Sequence, residues 1–128
     1  MTVSKAKKKA WKEFSRFIRL RDTCKLGTEC YSCGKWGKMR YMDAGHFQPG
    51  RYGIFLFDER QVHAQCKQCN IFLKGNWPEY YKKMVKEYGQ EEVNQMLEER
   101  TQLKQWKVYE LEEIHQKYKA KAKEYENK

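Results

Sequence analysis

Four cysteines, arranged as Cys30-x-x-Cys33 and Cys66-x-x-Cys69, stand on either side of His46, and Asn70 directly follows the last of them. Two C-x-x-C knuckles offer four thiolates, the ligand set of a tetrahedral zinc site. A plain zinc ribbon separates its knuckles by about 15–20 residues, whereas 32 residues lie between Cys33 and Cys66. That interval has room for a β-hairpin that carries chemistry, with zinc fastening its base. Read alone, the four cysteines describe a knuckle that only holds a fold. His46, His63 and Asn70 add groups able to move a proton or bind a hard cation, for which a purely structural site has no use. In a reducing compartment, paired cysteines serve metal or redox chemistry more often than disulfides. The fifth cysteine, Cys24, is assigned to packing.

The chain of 128 residues carries 27 Lys and Arg against 17 Asp and Glu, a net charge of +10. Such a balance attracts a polyanion, with nucleic acid first and an anionic membrane surface second. No apolar run is long enough to span a bilayer, and Ile54–Phe57 is only a strand's core. The N-terminus is basic but lacks the apolar stretch of a signal peptide. A soluble, cytoplasmic protein is expected, with no membrane partner.

Periodicity and punctuation supply the elements that must position these groups. Residues 5–21 read as a basic helix with Trp11, Phe14 and Ile18 facing the core. Residues 39–47 read as a strand or two short strands, 48–53 as a Pro/Gly loop, and Ile54–Phe57 and Gln61–Gln65 as short extended pieces. A helix is expected from Lys67 to Gly75, another from Pro78 to Tyr88, and two more over 90–100 and 103–126. The organisation is a basic helix over 1–23, a zinc-stapled core over 24–77 and a helical region over 78–128. In the last helix Val108, Leu111, His115, Tyr118, Ala122 and Tyr125 recur at spacings of three or four. That stripe packs either on the protein's own helices at 78–88 and 90–100 or on a second copy as a dimer seam.

The central order of strand, loop, strand and helix, clamped by zinc, is the ββα-metal layout of HNH nucleases, and gives an α+β fold class with flanking basic helices. Metal-assisted phosphodiester cleavage needs a base for water, a divalent cation near the phosphate, and cations along the backbone. His46 offers an imidazole, a group whose unperturbed pKa lies near neutral pH and which suits proton abstraction. The amide oxygen of Asn70 and the carboxylate of Asp43 suit Mg²⁺ or Mn²⁺. His63 either contacts metal or phosphate or orients a thiolate or pairs with a backbone carbonyl. Arg51, Arg60 and Lys74 are phosphate contacts by position, while Asp58 and Glu59 are either part of a metal shell or a charged turn. Lys5, Lys7, Lys8 and Lys9 form a solvated arm with an electrostatic role on DNA.

The segments MDAGHF, FDERQVHAQCKQCN and LKGN-x-x-x-Y, continuing through YGQEEVNQM, resemble the phage NinG/Rap family of recombination endonucleases over roughly residues 24–125. The order knuckle, His, knuckle, Asn is also similar to endonuclease VII. The resemblance implies His46 as base, Asn70 as metal ligand and Cys30, Cys33, Cys66 and Cys69 as zinc ligands. It further implies branched DNA, such as a Holliday junction or D-loop, as substrate, with 5′-phosphate and 3′-hydroxyl products. A resolvase cuts two strands related by near two-fold symmetry, which suits a homodimer. Gly45 stands where most HNH motifs have an acidic residue or a second His, and Gln61 stands where an Asn is often found. Two other readings compete: a non-catalytic zinc-stapled nucleic-acid adaptor, and a C-x-x-C redox protein.

Overall fold

Helix α1, Val3–Arg21, starts where the Thr2 hydroxyl accepts the Lys5 backbone N–H at 3.2 Å, and it buries one face through Ala6, Ala10, Phe14, Phe17 and Ile18. The computed structural model describes residues 1–49 and 53–127. After α1, strands β1 (Thr23–Cys24), β2 (Gly27–Glu29) and β3 (Trp36–Gly37) form a small antiparallel sheet in that order. Gly27 makes its first turn: φ is +119° and a Cβ there would meet the Gly37 carbonyl oxygen at 2.8 Å. The first cysteine knuckle fills the β2–β3 connection, where Gly34, at φ 78°, bonds back to the Cys30 carbonyl at 2.9 Å.

A 3₁₀ turn, Met39–Tyr41, leads into β4 (Met42–His46), which pairs antiparallel with β5 (Val62–Cys66). The register sets Asp43 opposite Gln65, Gly45 opposite His63 and His46 opposite Val62. A five-residue π-helical turn, Gln68–Phe72, follows, then α2 (Trp77–Tyr88), α3 (Gln90–Glu98) and α4 (Val108–Glu126). The molecule is a mixed α+β fold with two small sheets.

Two apolar clusters hold it together. In one, α1 and α4 pack on each other and on Ala44, Leu56, Phe57 and Val62. In the other, Phe47 meets Tyr80, Met84, Val93 and Met96 of α2 and α3. The end of α1 also fixes the hairpin by polar bonds. Arg21 donates to the carbonyls of Glu59 (2.8 Å) and Val62 (2.9 Å), and Asp22 accepts the Ala64 N–H at 2.9 Å.

Several expectations change. The stripe on the last helix packs on α1, not on α2 and α3: Tyr118 sits edge-on to Phe14 at 4.7 Å, and Leu111, Tyr118 and Ala122 are buried. The seam read from that stripe is therefore interior surface of one chain. Helix α4 begins at Val108 rather than 103, because Glu110 turns back to accept the Lys107 N–H at 3.0 Å and fixes the start there. Residues 54–57 are successive turns rather than a strand, with the Asp58 N–H bonded to the Phe55 carbonyl at 3.0 Å. The helix expected over 67–75 is reduced to the π turn, followed by left-handed backbone at Lys74, Gly75 and Asn76. Cys24 is exposed rather than packed.

Candidate functional site

The four cysteines come together as their spacing requires. The sulfurs of Cys30, Cys33, Cys66 and Cys69 all lie within 4.8 Å of one another, with Cys33 and Cys66 at 3.8 Å. A tetrahedron of Zn–S bonds near 2.3 Å has edges of about 3.8 Å, so the donor set could hold a zinc ion. Outer partners support the same sulfurs. The Asn76 side chain donates to Cys69 Sγ at 3.4 Å, and Tyr31 N–H bonds the Ala64 carbonyl at 2.9 Å, tying the knuckle to β5.

Beside this cluster lies a cleft of about 790 Å³ whose lining includes His46, Asp43, Asn70, Lys67 and Lys74. Strand β4 places Asp43 and His46, and the turn after Cys69 places Asn70. The Asn70 amide donates to one Asp43 oxygen at 3.0 Å, and the Lys67 ammonium bonds the other. A cation thus already sits on Asp43, and Asn70 turns its amide nitrogen toward the same carboxylate.

The ring of His46 is half-buried and stacks on Trp11, with centroids 4.8 Å apart and planes at 19°. Its Nε2 lies 3.1 Å from the Leu56 carbonyl oxygen. A carbonyl only accepts, so in the neutral ring Nε2 carries the proton and Nδ1 is the basic nitrogen. Trp11, Ser15 and Arg19, at successive helical turns of α1, form one wall of the cleft, and Arg40 another part. Burial lowers the pKa of Arg19, and the carboxylate of Asp43 opposes that shift.

Gly45 has a steric reason. A Cβ at this position would fall 1.8 Å from Gln65 Oε1 and 3.0 Å from Asn70 Oδ1. Gln65 is held in that space by donating to Ser32 Oγ at 2.7 Å and to the Gly75 carbonyl at 2.9 Å. Gln61 also has a defined job: it is buried, accepts from Gln48 at 2.7 Å and donates to Asp58 at 3.1 Å.

Other sequence candidates lie elsewhere. His63 is buried on the far side of β5, stacked on Tyr31 at 3.7 Å and bonded to Tyr80 (3.1 Å) and Tyr88 (3.2 Å). The Tyr80 hydroxyl donates to the Gly45 carbonyl at 2.7 Å, so it accepts from His63 Nδ1, and His63 steadies the backbone next to His46. Burial pushes the pKa of His63 down to about 3, with the charges of Arg21 and Lys83 adding to it. Arg60 is outside the cleft, held by Asp58 at 2.8 Å and Glu92 at 3.1 Å. Glu59 accepts from Tyr118 and Lys121, both at 2.9 Å. Lys5, Lys7, Lys8 and Lys9 lie on the first turns of α1 and do not line the cleft. Arg51 lies outside the described residues. Sequence reasoning missed Trp11, Arg19, Arg40 and Lys67. The i, i+4 spacing of Trp11, Ser15 and Arg19 marks a helix face but does not say that the face borders His46.

Comparison with known proteins adds a lineage. The family model "NinG: Bacteriophage Lambda NinG protein" matches residues 2–128. Similar curated proteins are "Protein ninG" of Escherichia phage 933W, 35% identical over 121 residues, and that of Escherichia phage lambda, 32% identical over 121 residues. The alignments cover 94% of this chain, 58% of the 933W protein and 57% of the lambda protein. The chain thus spans under three fifths of the length of these relatives. No solved structure matches it. Among the described residues, no helix is long and apolar enough to cross a membrane.

Proposed function

This chain belongs to the NinG family, and we propose that it is a structure-selective, divalent-metal-dependent DNA endonuclease acting on branched recombination intermediates such as Holliday junctions and D-loops. One observation carries the reading. A histidine with a defined basic nitrogen, a carboxylate and a carboxamide face one cleft walled by Arg19, Arg40, Lys67 and Lys74, directly beside the four-cysteine cluster. In this reading the cluster and the β4–β5 hairpin make a zinc-stapled ββα-metal core of HNH type, with the π turn in the position of the metal helix.

His46 Nδ1 takes a proton from water as the water oxygen bonds to phosphorus and the bond to the 3′ oxygen breaks, and that leaving oxygen takes its proton from a solvent water. The Leu56 carbonyl holds the opposite nitrogen, and Trp11 fixes the plane of the ring. Asp43 and Asn70 would supply the oxygen donors for Mg²⁺ or Mn²⁺ once Lys67 releases the carboxylate and the Asn70 amide, which donates its N–H to Asp43, turns its oxygen toward the ion. Such an ion, when bound, neutralises charge on the phosphorane and on the leaving oxygen. Arg19, Arg40 and Lys74 seat the backbone phosphates, and the products carry 5′-phosphate and 3′-hydroxyl ends. His63 acts through the fold, not on the substrate.

The test is cleavage of an end-labelled four-way junction beside the matched linear duplex, with Mg²⁺, with Mn²⁺ and in EDTA. Metal-dependent cutting of the junction in preference to the duplex is expected. Binding to the junction without cutting under every condition would favour a zinc-stapled adaptor.

A further inference from the structure

A second crevice of about 370 Å³ opens beside the cleft, and Pro49 lines both. Its other lining groups are Gln48, Trp77, Leu97, Arg100 and Thr101. Ligand pockets start at about 300 Å³, so the size suits a small planar group. Three further features define what it would take.

The first is a buried acceptor with no partner. Gln48 is 3% exposed, and its Oε1 has no hydrogen bond among the described residues. Its orientation is fixed by its neighbours. Gln61 must present its amide nitrogen to the Asp58 carboxylate, which leaves its oxygen toward Gln48. Gln48 Nε2 then donates to Gln61 Oε1 at 2.7 Å and to the Met96 carbonyl at 2.9 Å. Turning the amide over would break both bonds, so the oxygen stays as the group wanting a donor.

The second is an aromatic face. Trp77 is 41% exposed and stacks with Phe47 at 5.6 Å and Tyr81 at 5.0 Å, while Phe47 and Tyr81 lie 6.4 Å from each other. The indole is thus anchored by two rings and keeps part of its surface open where it lines the crevice. The third is charge: Arg100 is exposed and borders the crevice.

We propose that this crevice binds one unpaired nucleobase of the strand whose backbone lies in the neighbouring cleft. The base stacks on Trp77, an exocyclic amine or ring N–H donates to Gln48 Oε1, and Arg100 meets the adjoining phosphate. The inference rests on the DNA reading above and deepens it, since a base is available only where strands part. Selectivity for branched DNA then comes partly from this crevice.

The test measures affinity by fluorescence anisotropy in EDTA for a duplex carrying a short single-stranded flap, and for the same duplex with the flap made abasic. The parent should prefer the flap with bases by about tenfold, the scale of one base–aromatic stack. Trp77→Ala should lose that preference while binding the abasic flap as the parent does. Equal affinity of the parent for the two flaps, or a preference that survives Trp77→Ala, overturns the crevice and leaves the DNA reading standing. No salt-dependent binding to either flap or to the duplex overturns both. Photocrosslinking of the parent to a flap bearing 5-iodouracil needs no variant: a crosslink mapped to Trp77 is expected, and crosslinks confined to other segments overturn the proposal.

Discussion

The imidazole of His46 lies nearly parallel to the indole of Trp11, 4.8 Å between centroids, so the N-terminal helix holds one face of the candidate base. A single general base contributes about 10²–10⁴ in rate, and His46→Ala should lose that much junction cleavage while junction affinity in EDTA stays unchanged. Trp11 touches no reacting atom in this scheme and only positions the ring. An aromatic pair is worth about 0.5–1.5 kcal/mol, so Trp11→Ala should slow single-turnover cleavage by up to about tenfold, with Trp11→Phe recovering most of it. A Trp11→Ala rate equal to the parent's would remove the helix from the site.

Gly45 and Gln65 share one space, and that predicts a coupling between them. Gly45→Ala puts a Cβ 1.8 Å from Gln65 Oε1, and overpacking of this kind costs about 1–3 kcal/mol. Denaturant unfolding should show that loss. Adding Gln65→Ala should relieve part of it, so that the double variant is more stable than the two single changes would sum to. Additive effects would mean that the strand shifts instead of the side chain.

How much of this was legible in the sequence depends on whether the signal is local. Cys30, Cys33, Cys66 and Cys69 carry their geometry in their spacing, and α1 shows its buried face as Ala10, Phe14, Phe17 and Ile18 at helical intervals. The strands bearing His46 and Cys66 were readable for the same reason. Which surface a stripe meets is not local. Leu111 and Tyr118 look the same whether they pack on α1, on α2 or on another copy, and only the fold selects α1. The reason for Gly45 was equally hidden, because Gln65 is its neighbour across the sheet and not along the chain. The π turn at Gln68–Phe72, which carries buried Cys69, was hidden as well, because no local spacing in those residues distinguishes it from an α-helix.

His63 should make stability depend on pH. Its folded-state pKa is about 3, below the value near 6.5 of an unfolded histidine. Between those values only the unfolded chain binds the proton, so the contribution of neutral His63 is intact above about pH 6.5 and lost as pH falls toward 3. The slope for one such group is at most about 1.4 kcal/mol per pH unit. Denaturation midpoints at pH 7 and pH 5 should therefore differ more for the parent than for His63→Gln. Both proteins keep the cysteine cluster, so thiolate protonation affects them alike, and equal differences would show that His63 titrates normally.

The packing of α4 on α1 changes what a substitution in its stripe does. Leu111 is fully buried between the two helices, and truncating a core leucine costs about 2–5 kcal/mol. Leu111→Ala should lower the unfolding midpoint accordingly without altering the sedimentation coefficient of the folded protein. Leu111→Glu should unfold the chain and not yield folded monomers. A folded Leu111→Glu protein of half the parent's mass would restore the stripe as a seam between copies.

The cysteine cluster joins three segments: the β2–β3 knuckle, the end of β5 and the turn carrying Asn70. Native mass spectrometry should give one zinc per chain, bound as four thiolates. Zinc held this way contributes directly to folding free energy, but the α1–α4 cluster contains none of the four ligands. Chelation, or Cys66→Ser, should therefore leave much of the helical circular dichroism while freeing the knuckle and the Asn70 turn. Cleavage should fall with zinc content, because Asn70 follows Cys69 directly and bonds Asp43 across the cleft. Added Mg²⁺ should not rescue it. Full activity in a zinc-free protein, or unfolding of Cys66→Ser at the parent's midpoint, would show that the cluster is not a metal staple.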